Sequence, residues 1–140
     1  MTLFTSEKNR KTVLKELILY IGITAFIALF GFVYEQFSHG VNSNYMWFAW
    51  VWVLGFGILP YLALYFLPIK KVPGTLSACV YNLGVAILTT RSIFMGVLQI
   101  YGKTNSKMVV VYGVLSAVFL VAGVALYLYG LFSKKEGTKE

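Results

Sequence analysis

The chain has 140 residues, of which 59% are hydrophobic, 17% aromatic and only 12% charged, with a formal net charge of +7. Soluble domains carry charge at about 25% of positions, and one domain of this length has too small an interior to hide so much apolar surface, so a water-soluble globule is excluded. There is no aspartate, and four of the five glutamates (Glu7, Glu16, Glu136 and Glu140) lie near the termini, with only Glu35 between long apolar runs.

Residues 1–16 form a basic tail carrying Lys8, Arg10, Lys11 and Lys15. Two readings of it stand side by side. Thr5–Glu16 is an interfacial helix with Lys8, Lys11 and Lys15 on one face, or it is a disordered basic tail. Four apolar blocks follow, at about 17–35, 45–67, 75–101 and 108–133. A helix needs about 20 residues to cross a hydrocarbon core of roughly 30 Å, so each block is long enough or nearly so. Lipid offers the backbone no hydrogen-bond partners, which leaves helices or closed barrels, and unbroken apolar runs of this length lack the alternation of barrel strands. The expected fold is therefore an all-α integral membrane protein, with residues 17–133 forming four transmembrane helices in an up-down antiparallel bundle. The first block ends in "FGFVYEQF", with no small-residue cleavage site, and reads as a retained span rather than a signal peptide.

The loop after the first span, "EQFSHGVNSN", holds the only histidine, His39, four residues after Glu35. If the helix runs on, both face one side, as two metal ligands would. A metal needs three or four ligands, however, and no third is at hand. Haem held by two histidines would require a dimer that brings two copies of His39 together, and no cofactor is otherwise implied. The simpler reading is a helix C-cap, with Gly40 turning the chain and His39 at the negative end of the helix dipole.

The second block opens with "YMWFAWVW", where Trp47, Trp50 and Trp52 fit an interfacial aromatic belt. Within it, "GFGILP" places Gly55, Gly57 and Pro60 where they weaken or kink the helix, freeing a carbonyl near Phe56 that a neighbouring helix or water must satisfy. Lys70 and Lys71 follow in the next turn.

In the third block Arg91 is the one charge well inside a span, roughly 22 Å beyond Leu76 at about 1.5 Å per residue. Two readings remain open: a side chain snorkelling to headgroups, or an arginine facing the bundle interior, paired with Glu35 or holding an anion. Asn42, Asn44, Thr90 and Gln99 stand near enough to complete such a site. Asn82 lies deeper and about 180° round the helix from Arg91, so it serves a different interface. The lone Cys79 fits a small packing residue and excludes a self-contained thiol–disulfide relay. The residues expected at close helix contacts are Gly55, Gly57 and Pro60 in the second block, Gly84 and Gly96 here, and Gly113, Ala117 and Gly123 in the fourth.

Nine basic residues fall in the two tails and the 68–74 turn, against Lys103 and Lys107 on the other side. That bias puts both termini, including the basic tail 134–140, in the cytoplasm and the His39 loop outside. Attraction to an anionic cytoplasmic leaflet accounts for the net charge without nucleic acid. No phosphate loop, paired carboxylates or nucleophile–base set can be assembled, so an enzyme acting alone is not expected. Two function classes remain. One is an accessory or regulatory subunit of a larger membrane complex. The other is a binding or transport component, dimeric or monomeric, that holds a small anion, lipid headgroup or quinone-like ligand around Glu35, His39 and Arg91.

Overall fold

The computed structural model describes residues 2–66, 72–103 and 106–133. Lys70, Lys71, Leu67 and the tail with Lys134, Lys135 and Lys139 lie outside the described residues. Every regular element among those described is helical: α1 (Thr2–Gln36), α2 (Asn44–Trp47), α3 (Ala49–Val53), a π-helical turn (Leu54–Ile58), α4 (Leu59–Phe66), α5 (Thr75–Ile100) and α6 (Ser106–Ser133). Four stretches are long and apolar enough to cross a membrane: Asn9–Gln36, Asn44–Phe66, Thr75–Ile100 and Lys107–Phe132. The chain is a multi-pass membrane protein.

Nothing in the first 21 residues breaks a helix, and the basic N-terminal segment is accordingly continuous with the first span. The 35 residues of α1 extend about 52 Å, more than a hydrocarbon core of roughly 30 Å requires. The helix ends where His39 and Gly40 both take left-handed backbone, with φ of 54° and 88°. The Phe37 and Ser38 N–H groups close back on the carbonyls of Tyr34 and Glu35.

The second span is interrupted. Leu59 N–H reaches back five residues to the Leu54 carbonyl, and Pro60, having no N–H, cannot serve the Phe56 carbonyl four residues before it. The Tyr81 hydroxyl of α5 donates to that carbonyl at 2.8 Å. A neighbouring helix thus supplies the partner that lipid cannot.

Close contacts tie the spans in chain order. Arg10 lies over the Tyr65 ring at 4.9 Å, the Tyr20 and Tyr61 rings are 5.5 Å apart, and Gly31 backs onto the Met46 carbonyl. Met46 also abuts Gly96, while Gly84 and Gly123 admit Leu120 and the Tyr81 backbone respectively. The apolar core (Val13, Leu17, Tyr20, Ile27, Ala49, Val53, Tyr61 and Val85) lies among α1, the second span and α5. The fourth span packs chiefly on α5, and its outer face, including Val110, Val114, Val118 and Val121, is exposed.

Two expected packing positions do not pack. Gly55 faces open space, because residues two apart on a helix point to nearly opposite sides and Gly57 takes the inward place. A methyl group on Gly57 would overlap the Tyr20 ring. Ala117 is exposed, its neighbour Ser116 being the buried one. The inward line of α6 runs through Gly113, Ser116, Leu120 and Gly123, which leaves Ala117 one position off it.

The glycines of α6 therefore differ in what they tolerate. A Cβ on Gly123 would stand 2.7 Å from the Tyr81 Cβ and 2.8 Å from its backbone, whereas one on Gly130 meets nothing. Gly123→Ala should lower stability by about 1–3 kcal/mol through overpacking, and Gly130→Ala should be neutral within about 0.5 kcal/mol. Denaturant titration of the two variants in bicelles checks the contrast.

Candidate functional site

The polar side chains of the described residues gather in two places, with a third, scattered set besides. The first is the end of the molecule that holds the 37–43 loop. Ser43, fully buried, takes extended backbone (φ −117°, ψ 118°) as the N-cap residue of α2. Its N–H donates to Glu35 Oε1 at 3.2 Å, and its hydroxyl donates to Gln99 Oε1 at 2.7 Å. One serine thus links the ends of α1, α2 and α5. Ser38, also buried, donates its hydroxyl to the Glu35 carbonyl at 2.7 Å, giving that helix-end acceptor a second partner beside the Ser38 N–H.

Of the residues singled out from sequence, Glu35 and Gln99 therefore converge, and they do so on Ser43. His39, Asn42, Asn44 and Thr90 are exposed and are not drawn into this network. Arg91 turns the other way. Its Nε–H donates to the Val109 carbonyl of α6 at 2.9 Å, and its guanidinium lies 3.6 Å from where a Gly113 Cβ would stand. Gly113 thus makes room for a charged side chain rather than for a helix backbone. Arg91 faces α6 and Glu35 faces the head of α2, so the two charges do not form the ion pair weighed from sequence. Among the described residues no group of three or more His, Cys, Asp or Glu side chains is placed to hold a metal.

The second cluster is deeper in the membrane. Asn82 Oδ1 accepts two hydroxyls, from Tyr20 at 2.8 Å and from Tyr61 at 3.1 Å. With Tyr81 on the Phe56 carbonyl one residue earlier on α5, this makes a polar knot joining the first three spans. Asn82 and Arg91 do serve different neighbours, as their angular separation on the helix implies. The third set is dispersed. Trp52 Nε1–H donates to the buried Ser92 hydroxyl at 3.1 Å, Ser77 donates to the Gly123 carbonyl at 2.8 Å, and Thr24 and Thr89 donate to carbonyls four residues back in their own helices. Among the described residues no buried side-chain nitrogen or oxygen lacks a hydrogen-bond partner.

Ser43, Tyr20, Tyr61 and Tyr81 were not selected from sequence, although each left a signal. "NSN" before the apolar run "YMWF" is a helix N-terminus pattern. Tyrosines well inside a span must find acceptors, since lipid offers none. The network is built to hold backbone and helix ends together. Its carboxylate, amide and guanidinium act here on the chain's own groups.

Compared with protein-family models, with curated proteins and with solved structures, the chain matches none.

The knot can be dissected. Asn82→Leu removes the acceptor of two tyrosine hydroxyls and should cost about 1–3 kcal/mol. A double-mutant cycle of Tyr20→Phe with Asn82→Ala should show coupling of roughly 0.6–1.7 kcal/mol, the range of interhelical hydrogen bonds in membranes. Unfolding in mixed micelles gives both quantities.

Proposed function

We propose that this four-span protein is an accessory or regulatory subunit of a larger membrane complex. In this reading the spans run up and down, each antiparallel to the next, with both termini in the cytoplasm and the 37–43 loop outside. The register supports the antiparallel part. Contacts between the first two spans pair Arg10 with Tyr65, Tyr20 with Tyr61 and Gly31 with Met46. Contacts between the last two pair Gly84 with Leu120 and Arg91 with Val109. As one partner's number rises, the other's falls. The excess of lysine and arginine in the tails and the 68–74 turn supports the orientation, and those basic segments suit an anionic cytoplasmic leaflet.

The observation that carries the accessory reading is where the loop-end polar groups go. Glu35, Gln99 and Arg91 serve Ser43 and Val109 instead of converging on a shared space in which a small ligand would sit. What remains outward is apolar helix surface, found on every span and with its largest share on α6, which only α5 covers to any extent. Helix association in lipid relies on dispersion and close packing, and valines and small residues present a low-relief face that permits both. A second copy of the chain or a larger membrane protein would meet that face in the same way.

Two experiments test the reading. A cysteine at Asn42 in a Cys79→Ser background should react with a membrane-impermeant maleimide in intact cells, and a cysteine at Lys139 only after permeabilisation. The reverse pattern would overturn the orientation. A photo-crosslinking residue at Val114 or Val118 should yield a discrete protein adduct in native membranes, while the same residue at Asn42 should not. Lipid adducts alone at both α6 positions would overturn the accessory role.

A further inference from the structure

Past the π-helical turn the second span parts from α5. Before the turn, α2 and α3 both pack on α5; after it, α4 packs chiefly on α1. The separation leaves a cavity of about 280 Å³ between α4, α5 and α6, whose walls include Pro60, Ala63, Pro73, Ala78, Val124 and Tyr127. It lies in the half of the molecule away from the 37–43 loop and shares no residue with the Glu35–Ser43–Gln99 network.

The chemistry of the walls is selective. Four polar side chains line the cavity, Tyr61, Ser77, Tyr81 and Tyr127; none is free, and three are turned to internal partners, Tyr61 to Asn82, Tyr81 to the Phe56 carbonyl, and Ser77 to the Gly123 carbonyl. A buried water needs two to four polar partners, which these committed hydroxyls do not readily supply. The volume is nearly twice that of an engineered apolar cavity of roughly 150 Å³ that stays dry and binds benzene. An empty space of this size forfeits the dispersion contacts of every atom lining it, so an apolar occupant is favoured. Access is lateral, because Ala63 and Val124 line the cavity and are also exposed on the outer surface of their spans. The medium on that side of a membrane-crossing segment is hydrocarbon.

We infer that this cavity holds one acyl chain of a membrane phospholipid, seated between α4 and α6 against α5. The inference does not depend on the accessory role, since it concerns a different face and different residues. The π turn and Pro60 would then have a use beyond bending the span: they hold α4 off α5 and keep the slot open. The chain's methylenes would replace the helix-to-helix packing that the separation removes.

The test uses the full-length protein reconstituted in phosphatidylcholine vesicles doped with a phosphatidylcholine whose sn-2 chain carries a photoreactive diazirine. Label mapped by mass spectrometry should concentrate on Pro73, Ala78 and Val124 over the controls Phe26 and Leu29, which are exposed on α1 and away from the proposed docking face. A preference of about fivefold is expected, equivalent to roughly 1 kcal/mol. Ala78→Phe and Ala63→Phe, which place a ring in the slot from α5 and from α4, should each bring the wall label down to the control level. Equal labelling of wall and control positions in the wild-type protein would overturn the inference, and so would wall labelling unchanged in a folded Phe variant. Because the wild-type comparison stands alone, the test decides even if both substitutions prevent folding.

Discussion

The second span crosses an apolar medium without an unbroken ladder of helical hydrogen bonds. Pro60 offers no N–H, the turn at Leu54–Ile58 widens to π geometry, and the Phe56 carbonyl is left to be satisfied from outside the helix. In water such a carbonyl would be hydrated at little cost. In lipid an unmet backbone group costs several kcal/mol. The Tyr81 hydroxyl meets it, and much of the rest follows from that contact. It places α5 beside the turn, sets Asn82 one residue on against Tyr20 and Tyr61, and leaves α4 free to lean on α1. The approach of Tyr20 to Gly57 completes the arrangement, since only a residue without a side chain leaves space for the ring there.

The loop end is organised on the same principle. A helix terminus in or near lipid exposes carbonyls and N–H groups that need partners. Here the side chains of Glu35 and Ser38 serve backbone groups, while those of Ser43 and Gln99 bond each other and tie α2 to α5. A carboxylate that accepts from the N–H of a helix N-cap residue is suitably placed for structure, and one of its two oxygens is engaged in that way. Arg91 makes the same point at the α5–α6 contact, where its Nε tethers the first turns of α6 and Gly113 admits its guanidinium. Intramembrane polar residues invite functional readings because they are costly. In this molecule the cost is met by the fold itself, and the unassigned space lies elsewhere, in an apolar slot without polar groups to spare.

The four spans were legible in the sequence because lipid compatibility is a local property, summed over about 20 residues, that needs no knowledge of neighbours. The interruption of the second span was legible for the same reason, since proline lacks its N–H in any context, and so was the need for an external partner near Phe56. Gly55 and Ala117 show where local reasoning stops. Small residues at suitable spacing permit close approach, but which of two candidates faces a partner depends on helix rotation, and rotation is set by all the contacts of the helix together.

The sequence by itself determined the membrane class, the number of spans, the weak point in the second and the charge bias along the chain. It also narrowed the polar residues to a few with a use to be found. Only the tertiary structure decided what those uses are: Glu35 and Gln99 on Ser43, Arg91 on Val109, and Asn82 beneath two tyrosines. It also decided that α4 diverges from α5 and opens a slot. Hydrogen bonds between residues up to 62 positions apart depend on where whole helices lie and how they are turned, and no local pattern encodes that.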